Sequence, residues 1–247
     1  ADIVANQCPG DVSVPMSVRN TSFAEIVEVE TLGDGIYLYG GGSHNSVVVE
    51  FEDYIAVVEA PLHEKRNLAV IDAIVEHIPN KPIRFLINTH QHHDHIGGLR
   101  TYMHIGATII THWKNYDFYT KDVLNYSQRT LDPDMVSLWP PTELAEGYQY
   151  EVVRENYVLT DGERIMQMSY VHPLGHVEGM LVAYLPEQKI LIEADLLDAP
   201  NSILPSEATA ANRTLYNHVQ RLGIDVETIV PIHGRPTPWK DFIQLIN

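Results

Sequence analysis

The segment Leu86-Ile87-Asn88-Thr89-His90-Gln91-His92-His93-Asp94-His95-Ile96-Gly97-Gly98 restricts this chain more than any other stretch. A short apolar strand, Ile83–Asn88, runs out and delivers His90. In extended chain, residues two apart project to the same side, so His90 and His92 can converge on one ion. The chain then turns. Asp94 and His95 open a helix in which Gly97 and Gly98 let another backbone approach closely. Imidazole and carboxylate donors without thiolate suit zinc, with iron or manganese as the other candidates. The bland alternative is a chance cluster on a solvated loop. It does not explain why His90, His92, Asp94 and His95 gather at a strand end.

Three later positions repeat that placement. His176 closes Pro173-Leu174-Gly175-His176, read as the end of a strand. Asp195 follows the apolar run Lys189–Glu193, and His233 ends Ile229-Val230-Pro231-Ile232-His233. Each alone reads as a hydrogen-bonded loop residue; together, after the first motif, they read as ligands brought to one edge.

The pattern around these positions gives the fold. Strands are expected at Ile26–Thr31, Ile36–Tyr39, Val47–Phe51 and Tyr54–Glu59, then at Ile83–Asn88 and Ala107–Thr111. Further strands follow at Tyr157–Leu159, Arg164–Val171, Met180–Leu185, Lys189–Glu193 and Thr228–Ile232. Helical spacing covers Glu64–Ile78, Ala208–Leu222 (stopped by Gly223) and Trp239–Ile246. Residues 113–150 read as a helix followed by a loop excursion. Hairpin-rich blocks with helices between them predict an α/β fold: a four-layer α/β/β/α sandwich of two mixed sheets flanked by helices. Residues 1–25 read as an extended lead-in and 26–247 as a single domain.

Composition removes several function classes. Sixteen Lys and Arg face 33 Asp and Glu, a net charge of −17, which argues against nucleic acid and anionic membrane surfaces as partners. No apolar run is long enough to span a membrane. Cys8 is the only cysteine, so neither an internal disulfide nor a thiolate metal site can be built. The opening segment lacks the basic start and apolar core of an intact signal peptide. The compartment stays open between cytoplasmic and periplasmic or secreted, and so does the oligomeric state.

Over roughly residues 26–235 the chain resembles the metallo-β-lactamase superfamily. The resemblance rests on the HxHxDH box at 90–95, Gly175-His176, Ala194-Asp195 and His233-Gly234. It implies two zinc ions per chain. The first would be held by His90, His92 and His176, the second by Asp94, His95 and His233, with Asp195 bridging them. Two such ions about 3.5–4 Å apart lower the pKa of a shared water towards about 7. Asp94 would orient the hydroxide and carry a proton to the leaving group. Asp195 at the bridging position sets the chain apart from lactamases with cysteine or serine there. It places the chain with the glyoxalase-II, lactonase, phosphodiesterase and sulfatase branches, and His92 argues against the diiron flavoproteins.

The expected function is hydrolysis of a small-molecule ester, lactone, thioester or lactam, with weak β-lactam turnover and phosphodiester cleavage behind it. A sulfur dioxygenase with one iron on His90, His176 and Asp195 is the redox alternative, and a non-catalytic binding module ranks last. Around the motif, Asn88 and Thr89 are candidates to support the ligands. Glu59, where the family usually has aspartate, either orients a ligand imidazole or simply ends its strand. His44 on a glycine-rich loop and His112 at a strand end are candidates for the metal edge or substrate contact. His93 should point away. His63, His77, His104 and His218 read as ordinary helix or loop residues. The aromatic residues from Trp113 to Tyr126 line a pocket or pack a helix, and Pro200–Pro205 reads as an irregular edge near the site.

Overall fold

Runs such as Val47-Val48-Val49 and Ile55-Ala56-Val57-Val58 give their strands two apolar faces, and the architecture follows from that. The computed structural model describes residues 25–130, 133–140, 147–200 and 203–247. The lead-in over 1–24, Cys8, and Asn201 and Ser202 of the irregular edge lie outside the described residues.

One sheet has seven strands in chain order: β1 (Glu28–Gly33), β2 (Ile36–Gly40), β3 (Ser46–Glu50), β4 (Ile55–Val58), β5 (Ile83–Ile87), β6 (Thr108–His112) and β7 (Tyr150–Val153). β1 to β4 pair antiparallel, and β4 to β7 parallel. The other sheet comprises β8 (Asn156–Thr160), β9 (Ile165–Tyr170), β10 (Leu181–Leu185), β11 (Ile190–Glu193), β12 (Thr228–Pro231) and β13 (Thr237–Pro238). Their order is β13-β12-β11-β10-β9-β8, with β11 and β12 parallel.

Val47 and Val49 on β3, and Ala56 and Val58 on β4, face the second sheet and pack with Met166, Met168, Leu181, Ala183 and Ile192. Their neighbours Val48, Ile55 and Val57 face the opposite way. They meet Val70 and Ile74 of α1 (Glu64–His77) and Leu99 and Tyr102 of α3 (Leu99–His104). On the outer face of the second sheet, Val182, Leu191 and Ile229 meet Leu215 and Val219 of α5 (Ala210–Leu222) and Phe242 of α6 (Trp239–Ile246). The layers are therefore helix, sheet, sheet, helix, the predicted sandwich. Strands buried on both faces read as continuous apolar runs, which is why they were visible in sequence.

Helix signals were also legible. Thr209 and Asn212 form a reciprocal capping box at the start of α5, and Gly223 ends it with φ +62°. Two strands were not foreseen. β7 begins at the end of the stretch read as a loop and runs into residues given no element, where only Val152 and Val153 mark it, and β13 has two residues. The expected helix after His112 is broken into a 3-10 turn (Trp113–Asn115), an α turn (Tyr116–Phe118) and a π turn (Tyr119–Val123). The short α4 (Met135–Leu138) follows. Among the described residues, no helix is long and apolar enough to cross a membrane.

Candidate metal centre

Parallel neighbours end on the same edge, and the parallel pairs β4–β5 and β11–β12 carry their trailing residues to a common rim. Beyond β5, Asn88 N–H donates to Ile110 O (3.0 Å), while Glu59 N–H donates to Ile87 O (2.8 Å). Leu181 N–H of β10 donates to Thr89 O (2.8 Å), tying the residue before His90 to the second sheet. The next turn is the short helix α2 (His93–Ile96), seated against Leu62 by Leu62 N–H to Asp94 O (2.8 Å). A Cβ on Gly97 would lie 1.8 Å from Leu62 O, and one on Gly98 2.1 Å from the Asn67 amide. The two glycines are needed for this close approach.

The rim carries two groups of donors. His90, His92, His176 and Asp195 form one; His44, Asp94, His95 and His233 form the other. Within each group, one donor atom per residue lies within 4.8 Å of every other. Asp195 stands between them. Its Oδ2 is 3.1 Å from His90 Nε2, 2.9 Å from His176 Nε2 and 3.7 Å from His92 Nδ1. Its Oδ1 is 2.9 Å from His233 Nε2 and 3.3 Å from His95 Nε2. One carboxylate thus faces both groups with different oxygens.

The donors fit a cation. His90 Nε2 is buried and, although Asp195 Oδ2 lies 3.1 Å away, forms no well-aligned hydrogen bond, an arrangement that costs free energy unless something binds there. His90 Nδ1 is engaged by Thr89 Oγ1 (3.0 Å), so Nε2 is the atom left to face the group. His95 Nδ1 meets Glu59 Oε2 at 2.8 Å. A carboxylate only accepts, so Nδ1 carries the proton and Nε2 faces inward. Burial disfavours a charged His95, but Glu59 and Asp195 outweigh it and hold its imidazolium up to about 10. Burial would likewise raise the Asp195 carboxyl, and His233, His90 and His95 beside it hold it far below the usual carboxylate range. The rim therefore concentrates negative charge that a cation would satisfy, replacing the proton on His95.

A sequence profile of the metallo-beta-lactamase superfamily matches residues 39–233, most of the chain. The chain belongs to the metallo-beta-lactamase superfamily. Among solved structures, a metallo-beta-lactamase from Pontibacter korlensis is 16% identical with a TM-score of 0.65, covering 88% of this chain and 96% of that one. A metallo beta lactamase from Hirschia baltica is 18% identical with a TM-score of 0.61, covering 89% and 95%. The mono-zinc form of FIM-1 from Pseudomonas aeruginosa is 16% identical with a TM-score of 0.61, covering 89% and 93%. Among curated proteins, a linear primary-alkylsulfatase of Pseudomonas sp is 31% identical over 91 residues, 36% of this chain. The match spans only 14% of that relative's length.

Within this member of the metallo-beta-lactamase superfamily, the glutamate at 59 is an orienting residue. It is fully buried at φ +75°, and besides His95 it accepts from Thr89 N–H (2.6 Å) and Asn88 Nδ2 (3.2 Å). Tyr119 O–H donates to Asn88 Oδ1, so one aromatic of the 113–126 set braces this network from the core, whereas Trp113 and Tyr116 are exposed. A second orienting residue was missed. Glu193 is buried at the end of β11, and its Oε2 accepts from Leu196 N–H (2.8 Å) and Leu197 N–H (3.2 Å). These bonds close the turn that carries Asp195 at φ +62°. Its only signal in sequence is an acid ending the apolar run Ile190-Leu191-Ile192.

Some expectations need correction. His176 is not at a strand end: β9 stops at Tyr170, and the residue sits in the loop that follows. His112 does not join either group. It is buried, stacked on Tyr170 at 4.0 Å, and both ring nitrogens are occupied, by Arg154 O (2.8 Å) and Lys114 N–H (3.4 Å). Its place is in the scaffold beneath the 3-10 turn. His218 is a helix residue, as read, and is buried and bonded to Ser169 Oγ (2.9 Å). His93 does point away, its side chain almost wholly exposed. His44 is brought to the rim.

Proposed function

We propose that this chain is a metal-dependent hydrolase with two zinc ions, acting on a small-molecule ester, lactone, thioester or lactam. The observation that carries this reading is Asp195, with one oxygen towards each donor group. His90, His92 and His176 would hold one ion and Asp94, His95 and His233 the other. Ions held there supply Lewis acidity and a hydroxide at neutral pH. Asp94 is placed to handle the proton. Burial would raise its carboxyl, yet the neighbouring His44 and His95 pull it below its ordinary value, so it is ionised at neutral pH. It can then accept a proton and return it to a leaving group. Thr89, Glu59 and Glu193 keep His90, His95 and Asp195 aimed.

The substrate class is argued from the adjoining cavity. A recess of about 660 Å³ opens beside His233, lined by the Gly40–Ser43 loop, Glu28, Glu30, Asp198 and Arg235. Arg235 is already shared between Glu30 (3.4 Å) and Glu28 (3.9 Å), so the lining is acidic on balance. That favours uncharged acyl substrates over anionic ones. Sulfate-ester hydrolysis is the second reading, motivated by the stretch similar to the alkylsulfatase. The test is turnover of zinc-loaded protein on lactone, thioester, β-lactam, alkyl sulfate and phosphodiester substrates. Cleavage of a neutral acyl substrate at the highest kcat/KM supports the proposal. Preferred cleavage of the sulfate ester shifts it to the second reading, and oxygen uptake with a persulfide on a single iron replaces it with the dioxygenase.

A further inference from the structure

His44 lies in the β2–β3 connection with its side chain 9% exposed, and the family pattern of seven donors has no place for it. Its Nε2 stands 3.2 Å from Asp94 Oδ2, and its ring centroid is 4.0 Å from that of His233. The corners of a tetrahedron drawn around zinc at its usual bond length are about 3.3 Å apart. The donor pairs here measure 3.2 Å for His44–Asp94, 3.1 Å for His95–His233, 3.6 Å for His95–Asp94 and 3.8 Å for His233–Asp94. His44 meets Asp94 at that spacing, and its donor atom lies within 4.8 Å of those of His95 and His233.

Its position is also built. Asn45, the next residue, donates from its backbone to Ile232 O (3.0 Å) and from its side chain to Pro231 O (3.2 Å) and Gly234 O (2.7 Å). The residues flanking His233 thus grip the residue beside His44, fixing two imidazoles from different sheets against each other. The loop reaches this point through Gly41 at φ +103°, where a Cβ would lie 2.5 Å from Ile26 O. On its far side, His44 Nδ1 is 2.8 Å from Ser43 Oγ. A hydroxyl can accept as well as donate, so Nδ1 can keep its proton and leave the Nε2 lone pair free to bind.

We propose, on the strength of the binuclear reading above, that His44 is a direct ligand of the second ion, a fourth side chain beside Asp94, His95 and His233. With Asp195 Oδ1 adjacent, the second ion then has more protein donors than the ion held by the three histidines, which is left with the fewer. The second ion is held more tightly and leaves last under chelation.

The experiment titrates metal-free full-length protein with zinc against a chromophoric chelator, comparing wild type, His44→Ala and His44→Gln. Glutamine can still donate a hydrogen bond to Asp94 but is a poor zinc ligand, so it separates ligation from mere positioning. Both variants are expected to weaken one of two dissociation constants by at least about 100-fold, beyond what loss of an orienting partner produces, and to leave the other nearly unchanged. Wild-type constants in His44→Gln would overturn the proposal. In zinc-loaded wild type labelled with 15N-histidine, His44 Nε2 is expected as a metal-shifted nitrogen without a proton. A protonated Nε2 there would overturn it without any substitution. If wild type takes up fewer than two zinc ions, the binuclear reading fails first and this assignment falls with it.

Discussion

The donor group around His90, His92 and His176 has two exposed imidazoles, where the group around His95, His233 and Asp94 is the more firmly braced, although Asp94 and His233 stay 30% and 22% exposed. The side chains of His92 and His176 are 39% and 32% exposed, and His176 rides on a loop. His95 is fully buried and braced by Glu59, and His44 and His233 are pinned together through Asn45. One group presents its imidazoles to solvent, and the other is braced for retention while its His233 borders the recess. A site that must hold its metals while admitting a substrate benefits from dividing these tasks, because exposure that helps entry also weakens retention.

The residue common to both groups should give the largest effect. Asp195→Ala is expected to weaken zinc binding at both groups and lower kcat/KM at least about 1,000-fold, read from metal titration and turnover. Loss confined to one group would break the symmetry assigned to its two oxygens. Asp94→Asn keeps the size of the side chain but not its charge. It is expected to lower kcat about 100-fold while the three-histidine group keeps its affinity; full turnover would remove the proton role. Glu59→Gln acts chiefly through His95 and less through Thr89 on His90. Zinc affinity at the group of His95 should fall about 10–100-fold and at the three-histidine group by less, as chelator competition would show.

The smallest effect on the metals should come from His218, a buried histidine that serves the fold. His218→Ala is expected to cost about 1–3 kcal/mol in denaturant unfolding by leaving Ser169 unpaired, with metal content unchanged. Burial, with Arg221 beside it, holds the His218 imidazole down to about 4, below its ordinary 6.5. As pH falls, the unfolded chain takes up this proton first, so stability present above about 6.5 is lost as pH drops through about 4. The melting temperature of wild type should fall more steeply over that window than that of His218→Ala. Equal slopes would contradict the assignment.

What could be read in advance follows the range of the interactions involved. His90, His92, Asp94 and His95 are neighbours in sequence, so the end of one strand and the turn into the next helix bring them to one place. Asp195 and His233 were legible because apolar strands stop just before them. His176 is brought to the rim but was misplaced at a strand end, although the strand before it was read to stop near Val171; the loop that carries it back to the rim has no local mark. Glu193, His112 and His218 depend on partners far along the chain, and a lone acid or imidazole carries no mark of them. Glu59 stood between two readings until the partner 36 residues away was in view. β7 was lost for a similar reason: two valines at the end of a polar stretch are too short an apolar run to announce a strand.

The most direct test of a site shared by two ions is metal content per chain, by elemental analysis of protein purified without added metal and then supplied with zinc. Near two zinc ions per chain is the expected result. A single iron, or no metal retained after zinc is offered, would contradict it.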